Sequence, residues 1–409
     1  MNLRITYRLS VTLGALLLAA GCQEQLTAPG SCPATCPGGT PVLRDTVLDA
    51  LVGADSTHTG YILRGASQAG MRVANGLVGA TQYGVVRFIR RPDSIFVRDT
   101  GRTYTVDSVA LEVTLLARDT TASGILLALH RLPATTDSSA TFATIDPLVV
   151  PGTLVDSSTI ADSVRPALKY RFLFQGDTLA LMDIPALDSG ALAVAVAISG
   201  GTATGVRIGG IGSGGAVPIF RSYITVNVPD TATSVKKQTI VRGPVLTTFV
   251  SSATGAAPDT TILALGTGDG ARALIRFPWP VYLRDSALLA RATLELVPAA
   301  AIQGLPGDSA FVNVRGVRVD FGAKSPVGGL AGTEGLAFGS VDTVRIDVIS
   351  EIQNWQLDRL PHPPVLFVIL TPEGASFTEP RFYSTREPTA ARRPRLRITY
   401  QLPFDFERP

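Results

Sequence analysis

Cysteine, histidine and lysine are scarce in this sequence, and each scarcity closes off a class of chemistry. The three histidines, His58, His130 and His362, stand far apart in the chain. Metal and nucleophile chemistry need convergent groups, so scattered structural or surface histidines are expected and no catalytic residue is assigned. Of the three cysteines, only Cys32 and Cys36 are free to bind a metal, half of the usual zinc set, with no histidine nearby. Four lysines stand against 32 arginines, but the arginines are interspersed with 33 acids, so no nucleic-acid partner is indicated. Beyond the N-terminal segment no apolar run reaches the roughly twenty residues of a membrane-spanning helix. Gly266-Thr267-Gly268-Asp269-Gly270 lacks the Gly-Lys-Ser/Thr ending of a phosphate loop and reads as a turn. Asp269 alone falls far short of a calcium ligand set. Glu351 and Asp358 are imaginable as an acid and base pair, but glycosidic cleavage needs two carboxyls at a set separation across a cleft. No cofactor or metal is expected.

What the chain does contain begins with an address. Arg4 and Arg8 precede the run Leu16-Leu17-Leu18-Ala19-Ala20-Gly21-Cys22, a basic start followed by a short apolar run and small residues. The pattern resembles a bacterial lipoprotein signal, with Ala19 where leucine is commonest. The resemblance implies a signal peptide over 1–21 and a diacylated thioether, with palmitate-type chains, at Cys22. Two or more acyl chains hold a protein stably on a bilayer. Gln23 follows where an inner-membrane retention signal carries aspartate, so the outer membrane of the cell envelope is the expected location. Loss of 1–21 lowers the formal charge from +3 to +1, because it removes Arg4 and Arg8 and no acid.

Residues 22–41 are rich in Pro, Gly, Thr and Ala and read as a lipidated flexible spacer. Within it, Cys32 and Cys36 are expected to pair as a disulfide in an oxidising compartment, a local staple of about 2 kcal/mol in a segment without a core. Beyond it the signal is all-β. Short runs such as Val85-Val86-Arg87-Phe88, Tyr170-Arg171-Phe172-Leu173-Phe174, Leu274-Ile275-Arg276-Phe277 and Val344-Arg345-Ile346-Asp347-Val348 are separated by Gly, Pro, Asp and Ser clusters.

The body is also repeated. A shift of 174 positions lays residues 168–226 on 342–400 without a gap, matching Arg171 with Arg345, Arg207 with Arg381 and Ile224-Thr225 with Ile398-Thr399. Upstream, Val86-Arg87-Phe88 matches Ile275-Arg276-Phe277, and Leu111-Glu112-Val113 matches Leu294-Glu295-Leu296. Two tandem antiparallel β-sandwiches are expected, module 1 over 42–228 and module 2 over 236–403. A linker at 229–235 and a tail at 404–409 complete the division.

The second half, through Arg272-Ala273-Leu274-Ile275-Arg276-Phe277, Ala290-Arg291-Ala292-Thr293-Leu294-Glu295-Leu296, Asp347 to Trp355 and Arg393 to Tyr400, resembles the DNRLRE-type domain. The resemblance implies a jelly-roll-like sandwich of an exported bacterial protein, related to carbohydrate-binding modules. Ser350-Glu351-Ile352-Gln353 has capping-box spacing for a short helix that carries Trp355 into the core, with Leu181 as its repeat mate.

Sugar recognition uses flat aromatic faces with a few fixed polar groups. Trp279 and Tyr282, between prolines, are the first candidates for ligand binding, although packing competes with binding at both. Arg381 and Tyr383 form a second pair, of which strand alternation is expected to turn one inward. The leading expectation is a non-catalytic, membrane-anchored protein that binds polysaccharide or matrix through sandwich loops. A structural or adhesion component that binds other envelope proteins is the alternative, and a polysaccharide-degrading enzyme ranks third.

Overall fold

The computed structural model describes residues 43–58, 70–97, 99–162, 168–183, 191–228, 236–252, 260–266, 270–306, 308–357 and 363–402. The signal segment 1–21, the spacer with Cys22, Cys32 and Cys36, the linker 229–235, the tail, and His362, Asp269 and Asp358 lie outside the described residues. No helix among the described residues is long and apolar enough to cross a membrane.

The protein is all-β. The chain opens with β1 (Leu43–Asp49) and β2 (Ser56–His58). There follow β3 (Met71–Leu77), β4 (Ala80–Phe88), β5 (Ile95–Val97), β6 (Thr100–Arg102), β7 (Tyr104–Arg118), β8 (Leu126–Leu132), β9 (Leu154–Thr159), β10 (Leu168–Gln175), β11 (Leu192–Ser199), β12 (Thr204–Ile208), β13 (Ile219–Val226), β14 (Lys237–Arg242) and β15 (Pro244–Ser251). The rest comprises β16 (Ile262–Ala264), β17 (Arg272–Arg276), β18 (Leu288–Leu296), β19 (Ala310–Val317), β20 (Val327–Leu336), β21 (Val344–Asp347), β22 (Val365–Thr371), β23 (Arg381–Tyr383) and β24 (Arg395–Gln401). The helices are short: α1 (Phe142–Ile145), α2 (Leu179–Met182), α3 (Val281–Asp285) and α4 (Ile349–Leu357).

In the first body one curled antiparallel sheet, ordered β14-β13-β7-β12-β3-β4-β11-β8-β9, folds over itself, with β10 added along β7 and β15 along β4. The long β7 makes the curl: Tyr104 to Glu112 pair with β13, and Leu115 to Arg118 pair with β12. Alternation supplies the core, since the inward residues Met71, Phe88, Leu111, Phe172, Val194 and Phe220 meet in one apolar cluster. The second body is a sandwich of β1-β24-β18-β21 on β2-β17-β22-β19-β20. Leu294, Ile346 and Ile398 from one sheet meet Ile275, Val312 and Leu366 from the other. Each such side chain contributes about 1.5–3 kcal/mol by leaving water.

The expected boundaries at 42–228 and 236–403 do not match this pairing. β1 runs antiparallel to β24, from Leu43 opposite Gln401 to Asp49 opposite Arg395, and β2 pairs with β17. Conversely, β14 pairs with β13 and β15 with β4. The two segments occupy equivalent places, with Val47 opposite Arg397 and Val241 opposite Arg221. The opening strands of each repeat therefore complete the sheets of the other, and the first sandwich (70–251) is inserted into the second (43–58 with 260–402). An edge strand leaves a row of backbone donors and acceptors open, and here each opening segment fills that row on the other repeat.

The repeat itself is visible in register. Arg171 lies opposite Glu112 where β10 meets β7, as Arg345 lies opposite Glu295 where β21 meets β18. By the last strand the uniform shift of 174 has slipped by two residues. Phe220 pairs with Leu111 and Leu396 with Leu294, so Arg221 corresponds to Arg397. A slip of two keeps every side chain on its own face.

Local expectations divide in the same way. Trp355 is buried on α4, as expected, but its repeat mate Leu181 is 44% exposed and the neighbouring Met182 faces the core instead. The α4 helix does not start at a Ser350 capping box. The Asp347 carboxylate accepts from the Ile349 N–H, and Glu351 is buried with its carboxylate against Gly316. A Cβ at Gly316 would run into the Glu351 carboxylate, so a side chain there requires that carboxylate to swing away.

Candidate functional site

The four residues singled out from sequence do not converge on one platform. Trp279 packs on the second core, its ring 5.5 Å from that of Trp355 in an edge-on arrangement, and its buried indole N–H has no partner among the described residues. That contact takes up part of a ring that is half-buried, which is the packing role weighed against ligand stacking. Tyr282 on α3 is 38% exposed, but its ring lies 5.6 Å from Tyr400 and its hydroxyl donates to Thr46 Oγ1 at 3.4 Å. On β23 it is Phe382 that turns inward, so Arg381 and Tyr383 share the outer side, contrary to the expectation that one of them is buried. Each has its own neighbour: Arg381 donates to Glu379 at 2.7 Å, and the Arg392 guanidinium sits 5.3 Å from the Tyr383 ring centre.

The two histidines among the described residues, His58 and His130, make separate local contacts. His58 lies on β2 within 3.1 Å of Ser56 Oγ, and His130 is buried on β8 with Nδ1 3.2 Å from both the Val150 carbonyl and Thr153 Oγ1. Burial pushes the His130 imidazole below its ordinary pKa, against the Val150 carbonyl, which favours the charged form. Among the described residues no three His, Cys, Asp or Glu side chains gather as a metal set. Glu351, one member of the imagined acid pair, is only 6% exposed, which leaves no open cleft at its carboxylate.

A different surface brings polar and aromatic groups together: the outer face of β14-β13-β7-β10. In β13 alternation sends Phe220, Ser222, Ile224 and Val226 inward and leaves Arg221, Tyr223 and Thr225 outside. In β10 Phe172 and Phe174 face the core while Arg171 and Gln175 face out. Tyr223 is the one aromatic residue on this outer face among the described residues. Arg171 donates to the Tyr223 hydroxyl at 2.7 Å, and its guanidinium lies 5.5 Å from the ring centre. Arg221 Nε donates to Glu112 Oε1 at 3.2 Å, and Arg171 Nε lies 3.9 Å from the same oxygen. Beside the ring, Lys237 Nζ donates to Asp107 at 3.0 Å and to Thr225 Oγ1 at 2.6 Å, and Thr225 in turn donates to Asp107 at 2.7 Å. Asp107, Tyr223, Lys237, Gln238 and Thr239 line a shallow depression of about 180 Å³. The arrangement offers a half-exposed ring held in place by a charged hydrogen bond, beside an ion-paired lysine and aspartate.

The equivalent face of the second sandwich keeps the acid and loses the ring. Glu295 accepts from Arg395 at 2.6 Å and Arg397 at 3.4 Å, with Arg345 at 3.5 Å. Burial alone would raise the Glu295 carboxyl, but these guanidiniums outweigh it and hold the group below the usual carboxylate range. At the place of Tyr223 stands Thr399, whose hydroxyl donates to Asp45 at 2.6 Å. Sequence reasoning passed over Tyr223 because it looked for aromatics in loops. The usable signal was the outward phase of Tyr223 in an otherwise regularly alternating strand.

No family model and no curated protein matches this chain. Among solved structures it is similar to the N-terminal tandem of two CBM22 carbohydrate-binding modules of Paenibacillus barcinonensis Xyn10C, at 10% identity and a TM-score of 0.16, over 86% of this chain and 100% of that one. It is also similar to the M60 catalytic domain with two CBM51 domains of Clostridium perfringens ZmpB, at 8% identity and a TM-score of 0.14, over 88% of this chain and 39% of that one. At such scores neither likeness carries functional weight.

Proposed function

We propose that this protein is a non-catalytic lipoprotein of the cell envelope, anchored in the outer membrane through Cys22, that binds polysaccharide on the open sheet face of its first sandwich. The anchor rests on the pattern from Arg4 to Cys22. The binding role rests on one observation, the outward ring of Tyr223 fixed by Arg171 beside Asp107 and Lys237. An apolar ring face with convergent polar groups is the combination that recognises sugar. The test is retention of the soluble body, residues 42–409, on a panel of insoluble and soluble polysaccharides, with Tyr223→Ala and Trp279→Ala alongside. Retention lost in the Tyr223 variant and kept in the Trp279 variant supports the sheet face. Retention lost only with Trp279 returns the site to the second sandwich.

A second reading, a structural component that binds envelope proteins, is favoured by a groove of about 530 Å³ lined by Leu77, Val78, Ile302 and Phe338. Phe338 is itself an exposed apolar residue. Capture of an envelope protein by the wild type but not by Phe338→Asp, together with no retention on any polysaccharide, selects that reading.

A further inference from the structure

We infer that the polysaccharide bound on the first sandwich is anionic, a polymer carrying carboxylates such as uronic acids; this deepens the proposed glycan-binding role and rests on it. The inference comes from comparing the two equivalent faces. Over the whole outer face that carries Tyr223, the cations Lys169, Arg171, Arg221 and Lys237 point outward, and the acids among them are Glu112 and Asp107. On the second sandwich Arg291, Arg345, Arg395 and Arg397 are matched by Asp45, Asp49, Glu295 and Asp347 on the paired strands. The ring-bearing face thus has surplus positive charge, and the ringless face is balanced.

The cations are also placed to act. Arg221 gives Glu112 its Nε–H, which leaves the outer arm of a five-donor fork for a ligand. The Arg171 side chain is 48% exposed and that of Lys237 is 73% exposed, so neither loses its hydration in the free protein. Outward residues on one strand recur every ~6.6–6.8 Å, and strands lie ~4.8 Å apart. Arg221 and the Arg171 head therefore flank the tyrosine within the span of one or two sugar rings, and Lys237 sits beside it on the other side. A carboxylate on a ring stacked against Tyr223 falls within reach of a guanidinium that can meet it with two hydrogen bonds.

The experiment compares polygalacturonate with its fully methyl-esterified form of the same length, by isothermal titration of residues 42–409 at low and high salt. Phosphatidylglycerol vesicles form a third arm. Expected is binding to polygalacturonate at least about tenfold tighter than to the ester, weakened by salt, since exposed charges are screened over roughly 10 Å at 0.1 M. Lys237→Gln and Arg171→Gln should each weaken it by roughly tenfold, as loss of one charged hydrogen bond implies. Arg397→Gln on the second sandwich should leave it unchanged, and circular dichroism of all three variants checks that they fold. Equal binding of acid and ester overturns the anionic preference and leaves the glycan-binding role standing. Binding of neither polymer overturns the anionic inference, and retention on the polysaccharide panel then decides the glycan-binding role separately. Binding of the vesicles in place of the polymers overturns the inference in favour of a lipid surface.

Discussion

Arg207 of β12 meets Asp308 of the second sandwich at 2.9 Å, and the Asp308 side chain is fully shielded from solvent. Burial raises the Asp308 carboxyl, with Arg207 and the Ser376 hydroxyl opposing. Arg72 lies on the same junction, donating to the Ser376 carbonyl at 3.1 Å with its guanidinium 4.4 Å from the Phe249 ring centre. Leu305 and Phe377 pack there against Ala74. The two sandwiches meet through this buried ion pair and a small apolar cluster.

Breaking that pair should be costly. Asp308→Ala leaves Arg207 buried without its carboxylate and should destabilise the protein by about 3–5 kcal/mol. Replacing both partners by apolar residues, Arg207→Met with Asp308→Leu, should cost much less. Urea unfolding of the single and double variants measures the difference, and equal losses in both would show that the ion pair is not the source.

Strand pairing predicts which fragments fold. Residues 70–252 contain every strand of the first sandwich and should give a cooperative thermal transition alone, whereas 42–228 lacks β14 and β15 and should not. Residues 236–403 lack β1 and β2 and should gain a transition when a peptide of residues 43–58 is added. Circular dichroism melts check all three. A cooperative 42–228 fragment would mean that β1 and β2 can close the first sandwich instead.

Stability should fall on mild acidification because of His130. Its folded pKa lies below the ordinary value of about 6.5, so between the two the unfolded chain binds more protons. The contribution is present above about pH 6.5 and is lost as pH falls toward the folded pKa, at no more than about 1.4 kcal/mol per pH unit. His130→Gln should flatten this part of the profile. Urea midpoints of both proteins at about pH 7.5 and 5.5 read it, and parallel profiles would assign the slope to other groups.

The strands were legible because alternation is a local property. Tyr170 to Phe174 and Val344 to Val348 both form strands, and their arginines meet the same glutamate partners in the two halves. The exchange of opening strands was not legible, because nothing in Leu43 to Asp49 distinguishes a strand for β24 from one for β13. Only packing across the whole chain selects the partner. Trp279 illustrates the same limit at the site. Prolines on either side place it off the strands, but whether a ring at a strand end turns to Trp355 or to water is decided by what lies opposite. Tyr223 was readable in phase, and its value appears only when Arg171 arrives from a strand some fifty residues earlier.

The pairing of Leu43 with Gln401 places the two ends of the described chain side by side at one corner of the second sandwich. Any force drawn through the N-terminal segment therefore enters along β1, where seven cross-strand pairs share it, before it reaches the inserted first sandwich. A polymer held on the β13 face, as proposed, would pull from the other body, and the line of tension would run from β1 through the Leu305–Phe377 cluster and the Arg207–Asp308 junction. The strand nearest the N-terminal segment is a seven-pair clasp on its neighbour.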